Sequence, residues 1–125
     1  MKTYTRVIPE RSGDLAWEND LIAFRVYGLE LRNKPENNRI NCWLKIVKYP
    51  IIDKYYSQMK YKSYHKDHGE GHDPSSVASR AGCGSTGIWL NNKRYPLETY
   101  ANQELISSNL EKSKIQFNYK ILSME

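Results

Sequence analysis

Long apolar runs are missing from this sequence. In its 125 residues, no stretch approaches the about 20 consecutive apolar residues that a membrane-spanning helix needs. The opening MKTYTRVIPE also lacks the apolar core of a secretory signal. We therefore expect that the chain does not associate with a membrane and carries no signal peptide of its own.

Cysteine and proline are also scarce, and the chain has no dense run of charged residues. Cys42 and Cys83 could form a disulfide, but a lone pair of cysteines is more often two buried thiols, so they do not settle the redox compartment. Five prolines and no low-complexity run argue against disorder. The net charge is +5, yet the basic residues are scattered, without the dense run of a nucleic-acid-binding arm. We expect a globular protein with no nucleic-acid partner, whose charge serves either solubility or an anionic ligand.

Short segments that alternate in character make up most of the chain. TYTRVI and IAFRVYG read as strands, with Phe24 and Val26 on one side of the second and Arg25 and Tyr27 on the other. INCWLKIVKY continues the pattern of strands.

The remaining segments complete the predicted fold. PIIDKYYSQM favours one or two helical turns, and GIWLNNKRYPL favours a hairpin that turns at Asn91-Asn92. KIQFNYKIL is expected to pair with NQELI. The pattern predicts an all-β fold, a single antiparallel β-sandwich-type domain over residues 1–125 that is an incomplete portion of a larger sandwich.

All three histidines lie in one short tract, KSYHKDHGEGHDPSS. Imidazoles beside carboxylates are typical of sites for proton transfer or metal binding. Gly69 and Gly71 argue against a helix there, and if the tract begins extended, His65 and Asp67 share a face. Acid/base catalysis, a metal site and a solvated loop without function all remain open. The HExxH and calcium-loop spacings are absent, which weakens the metal interpretation.

A glycine-rich stretch, SRAGCGSTGIW, follows the tract. It lacks the lysine of a phosphate-binding loop, and a packed role for Cys83 is favoured over a nucleophilic one. Arg80 could clamp a carboxylate through two hydrogen bonds, or it could be an ordinary surface arginine.

Four separated motifs together resemble a known bacterial family. They are VIPERSGDLAWENDLIAFRVYG, YPIIDKYY, YHKDHGEGHD and GCGSTGIW, in this order. The chain resembles the middle part of the family catalogued as domain of unknown function 4861, whose members are longer and are associated with degradation of acidic polysaccharides. The sequence departs from the family pattern in PSSVASRA, at Ser76 and Ala78, and near Asn109.

The resemblance implies a carbohydrate-active protein on acidic, uronic-acid-containing oligosaccharides, a lyase of the dehydratase type that uses acid/base elimination. The alternative is a non-catalytic carbohydrate-binding or mutarotase-like domain. The implied catalytic residues are Tyr64, His65 and His68. The implied substrate-binding residues are Trp17, Arg25, Lys66, Glu70, Asp73 and Arg80.

Further expectations concern cofactors, partners and location. We expect no metal and no other cofactor, and an acidic oligosaccharide as ligand. A sheet surface left uncovered in a portion of a larger sandwich would favour self-association. The family resemblance implies a periplasmic or extracellular location.

Overall fold

The computed structural model describes residues 2–31, 40–74, 87–96 and 100–119, which fold mainly into antiparallel strands. The strands are β1 Tyr4–Ile8, β2 Asp14–Glu18, β3 Ile22–Val26, β4 Ile40–Lys45, β5 Gly71–His72, β6 Gly87–Leu90, β7 Lys93–Pro96, β8 Tyr100–Ser108 and β9 Ser113–Tyr119. One α-helix, α1 Ile52–Gln58, and two 3₁₀ helices, Pro9–Arg11 and Leu29–Leu31, accompany them. No helix in these ranges is long and apolar enough to cross a membrane.

Strands β1 to β5 form one sheet in sequence order, with every pair antiparallel. Ala16 pairs with Arg25, and Arg25 pairs with Asn41 on the next strand. Because side chains alternate along a strand, paired residues share a face of the sheet. The helix face carries Ala16, Ala23, Arg25, Asn41 and Trp43, and the hairpin face carries Leu15, Trp17, Phe24, Val26 and Leu44.

Helix α1 covers the helix face. Ile51 and Ile52, at its start, are buried in a core with Ile8, Ala16, Ala23 and Trp43. The carboxylate of Glu18 fixes the start of the helix, because it accepts the backbone N–H groups of Ile51 at 2.9 Å and Ile52 at 3.0 Å. A side chain from β2 thus satisfies two N–H groups that have no partner within the helix.

Two hairpins follow the five-stranded sheet. Asn91 and Asn92 turn the β6–β7 hairpin with φ of 50° and 60°, as the sequence predicts. The β8–β9 hairpin contacts the hairpin face, where the rings of Phe117 and Trp17 lie 6.3 Å apart between centroids. This contact is consistent with a sandwich-type arrangement.

The predicted all-β, antiparallel fold is confirmed. The strand predicted over INCWLKIVKY ends at Lys45, and bends occupy residues 46–49. Sequence reasoning missed β2 as a strand, because the buried Asp14 and Glu18 interrupt its apolar pattern. Cys42 lies partly buried on β4, and Cys83 lies outside the described residues.

Candidate functional site

The histidine tract folds as a loop whose two ends meet. The backbone N–H of Asp73 donates to Tyr64 O at 3.0 Å, which joins the ends. Inside the loop, Asp67 Oδ1 accepts the N–H groups of Gly69 at 2.8 Å and Gly71 at 3.0 Å. These two bonds lower the pKa of Asp67. Tyr64 and His65 lie in a turn, so the extended start considered from the sequence does not form.

Gly71 attaches the tract to the sheet at β5. Its φ is +103°, and a Cβ there would lie 1.9 Å from Leu44 O on β4. Only glycine permits this approach, because any side chain would overlap the neighbouring strand. The requirement for glycine therefore comes from packing against the backbone of β4.

Glu70 anchors the tract to the helix. It is buried and accepts hydrogen bonds from Tyr49 Oη at 2.6 Å and from Lys54 Nζ at 2.7 Å. These two bonds, from Lys54 first and then Tyr49, lower the pKa of Glu70. The Glu70 carboxylate, predicted from the sequence to bind substrate, is engaged here in holding the tract.

Two histidines of the tract are oriented by backbone carbonyls. His65 Nδ1 lies 3.1 Å from Asp73 O, and His68 Nε2 lies 3.0 Å from Ser63 O. Since a carbonyl oxygen only accepts, each contacting ring nitrogen carries the hydrogen. Neutral His65 therefore keeps an unprotonated Nε2, which is the atom that a general base requires.

Arg25 lies beneath this loop and is fully buried. Its Nη2 donates to Tyr27 Oη at 3.0 Å, to Asn41 Oδ1 at 3.1 Å and to Tyr64 Oη at 3.4 Å. The guanidinium also stacks on aromatic rings, with its carbon 4.5 Å from the Tyr27 centroid, 5.2 Å from Trp43 and 5.0 Å from Tyr64. Desolvation opposes the charge, but the surrounding tyrosine oxygens outweigh it and raise the pKa of Arg25.

Asn41 connects Arg25 to the end of the tract. Its Nδ2 donates to Asp73 Oδ2 at 2.9 Å, and Asp73 is fully buried. The rings of Tyr64 and His65 lie 4.3 Å apart between centroids, at the surface side of the same group. The residues of this connected group, called here the Arg25 cluster, are Arg25, Tyr27, Asn41, Tyr64, His65 and Asp73.

The structure brings together four of the residues named from the sequence: Arg25, Tyr64, His65 and Asp73. The others lie elsewhere or outside the described residues. Trp17 lies on the opposite face of the sheet, stacked on Phe24 with centroids 5.4 Å apart. Lys66 and His68 are exposed on the tract, and Arg80 lies outside the described residues.

Sequence reasoning missed Asn41 and Tyr27 as members of the cluster. Tyr27 was visible as a neighbour of Arg25 on the predicted strand. No sequence pattern indicated that Asn41 belongs to the cluster, because its place beside Arg25 depends on the pairing of β3 with β4. Within the described ranges, no group of three or more histidine, cysteine or acidic side chains is arranged to hold a metal ion.

Comparisons with known proteins place the chain in a family. The family model described as "Domain of unknown function (DUF4861)" matches residues 1–123. The chain is 34% identical over 115 residues to "Uncharacterized protein P7" of Formosa agariphila, an alignment that covers 84% of this chain. The chain spans 29% of the length of that relative. No solved structure matches the chain significantly.

Proposed function

The chain belongs to the DUF4861 family, a domain of unknown function, and from this premise we propose that its protein acts on uronic-acid-containing oligosaccharides. The proposed reaction is a carbon–oxygen elimination of the dehydratase type. The observation that carries the proposal is the Arg25 cluster, in which the buried Arg25 contacts Tyr64 and the Tyr64 ring packs on His65.

The chemistry of such an elimination sets three requirements. A base removes the carbon-bound proton next to the carboxylate, and an acid protonates the departing hydroxyl so that water leaves as the carbon–carbon double bond forms. A positive charge is needed against the negative charge that develops on the carboxylate. Imidazole and phenol groups suit the first two functions, and an arginine or lysine side chain suits the third.

We assign the base to Nε2 of His65 and the acid to Tyr64. Nδ1 of His65 donates to Asp73 O, which leaves Nε2 as the basic nitrogen. Tyr64 Oη accepts from Arg25 Nη2, so the phenolic hydrogen can be given to another acceptor. With Met59 packed against it, Arg25 is fully buried, and in this arrangement it acts through Tyr64 as a positioning residue.

A non-catalytic sugar-binding role is the second candidate, and exposed aromatic rings favour it. Tyr61 is 84% exposed and Tyr49 is 53% exposed, and flat rings of this kind stack on sugars. Such a domain needs no coupled acid and base. A periplasmic or extracellular location fits either role, because both imply contact with polysaccharide.

The test is an assay of unsaturated-uronate absorbance with a panel of acidic oligosaccharides. On a substrate that the parent converts, His65→Ala and Tyr64→Phe should each lower kcat by about 10²- to 10⁴-fold, with KM nearly unchanged. His68→Ala is the matched control, because the His68 ring contacts Ser63 O and lies outside the Arg25 cluster. Near-normal turnover by both histidine variants would exclude histidine catalysis by the tract. Binding without any absorbance change would favour the sugar-binding role.

A further inference from the structure

Two arginines converge on the sulfur of Met59. Arg11 Nη1 lies 3.1 Å from Met59 Sδ, and Arg25 Nη1 lies 3.9 Å from the same atom. A thioether sulfur is a weak, uncharged acceptor, so it compensates poorly for two guanidinium groups.

The two arginines also share an aromatic ring. The guanidinium carbon of Arg11 lies 5.6 Å from the Tyr27 centroid, and that of Arg25 lies 4.5 Å from it. Two like charges so close together repel each other, and partial burial strengthens the repulsion. An anion placed between the two guanidinium groups would relieve it.

Nearby carboxylates are already engaged by other donors. Asp14 Oδ2 lies 3.7 Å from Arg11 Nε, but Asp14 also accepts the N–H of Gly28 at 2.9 Å and the hydroxyl of Tyr56 at 3.0 Å. Asp73 is linked to Arg25 through Asn41. Asp14 thus approaches Arg11 at Nε, whereas Nη1 of each arginine lies within 3.9 Å of the Met59 sulfur.

Met59 is well placed to move aside. It directly follows the last residue of α1, Gln58, and is only partly buried. Its unbranched side chain has several rotamers. The side chain of Arg11 is 33% exposed, so the path to Arg25 through Met59 starts at the surface.

We propose that Met59 closes a carboxylate-binding site formed by Nη1 of Arg11 and Nη1 of Arg25. The ligand's carboxylate replaces Met59 Sδ and receives one charge-assisted hydrogen bond from each arginine. Tyr64 Oη, 3.4 Å from Arg25 Nη2, lies next to this site. The identity of the ligand as a uronic acid rests on the proposed function, whereas the carboxylate site itself rests on the arginine geometry.

Binding of glucuronate and of glucose, measured by calorimetry, tests the site without requiring turnover. Met59→Ala should bind glucuronate at least about tenfold more tightly than the parent, because the side chain that closes the site is removed. Met59→Leu is the matched control, since it keeps a side chain of similar size that closes the site and loses only the sulfur. Its glucuronate affinity should not increase. Glucose affinity should not change in either variant.

The Arg11→Gln variant tests whether the gain in glucuronate affinity depends on the charge of Arg11. In the Met59→Ala background, Arg11→Gln should abolish the gain, and in the parent it should weaken glucuronate binding even if Met59→Ala does not fold. Equal glucuronate affinity in parent and Met59→Ala, a gain that survives Arg11→Gln, or an equal gain for glucose would each overturn the proposal. A glucuronate gain in a protein that converts no oligosaccharide would leave the site intact and reject only the proposed catalysis.

Discussion

Lys45 and Glu18 form a buried ion pair, with 2.7 Å between Nζ and Oε2 and 1% exposure of each side chain. Lys45 Nζ also donates to Asn19 O at 2.7 Å, and Glu18 also accepts the N–H of Ile51. One pair of charges therefore links β2, β4 and the start of α1. This pair fixes on the sheet the start of the helix that ends just before Met59.

Removal of one charge from this pair should be strongly destabilising. Glu18→Gln should lower the free energy of unfolding by about 3–5 kcal/mol, because Lys45 is left buried without a counter-charge. Urea unfolding followed by circular dichroism measures the loss. The double variant Glu18→Gln/Lys45→Met should recover part of it, and a single variant within about 0.5 kcal/mol of the parent would contradict the role of the pair.

Two glycines of the tract should differ in their tolerance of alanine. Gly69→Ala meets no atom within 4 Å and should cost only the strain of positive φ, about 1–2 kcal/mol. Gly71→Ala places Cβ against Leu44 O as well, so its cost should exceed about 3 kcal/mol. Thermal unfolding of both variants gives the comparison, and equal costs would show that β4 moves aside.

Acidification should loosen the tract before the sheet. The pKa values of Asp67 and Glu70 are lowered in the fold, so their stabilising effect is present above the ordinary carboxyl pKa of about 4 and is lost as pH falls through the folded values. Hydrogen exchange of the Gly69 and Gly71 amides, followed as pH falls, reports the loss. Asp67→Asn and Glu70→Gln should each reduce the pH dependence, and unchanged profiles in both would refute the assignment.

The contribution of Tyr56 to the free energy of unfolding should decrease as pH rises above the ordinary ionisation range of tyrosine. Burial is the main cause that raises its pKa, and the hydrogen bond to Asp14 contributes. Stability from this shift is complete below the unfolded pKa of about 10 and falls as pH rises above it. Unfolding free energies on both sides of this pH should show a smaller decrease in Tyr56→Phe than in the parent. An identical decrease would exclude Tyr56 as a contributor.

Self-association of the chain should involve the hairpin face. Leu44 is 53% exposed on this face, and Val7, which shares it, is 45% exposed. Leu44→Lys should shift sedimentation toward the monomer, because a charge at an apolar contact must be desolvated. Leu110→Lys is the control, since Leu110 is 68% exposed in the β8–β9 turn. Equal shifts in both variants would indicate nonspecific association.

Local sequence patterns predicted much of the fold correctly. Alternation placed Phe24 and Val26 opposite to Arg25 because side chains alternate along any extended strand. The Asn91-Asn92 turn followed from the tolerance of asparagine for positive φ. Each prediction depends on residues within a few positions of one another, so the sequence alone determines it.

Pairing between distant segments decided which residues meet in the candidate site. Arg25 reaches Asn41 because β3 pairs with β4, and Asn41 reaches Asp73 because the tract returns to the sheet at Gly71. Met59 meets Arg25 only because α1 lies across the helix face. The sequence determined which residues alternate, turn and carry charge, whereas the tertiary structure decided which of them meet, because burial and strand pairing join segments that no local preference connects.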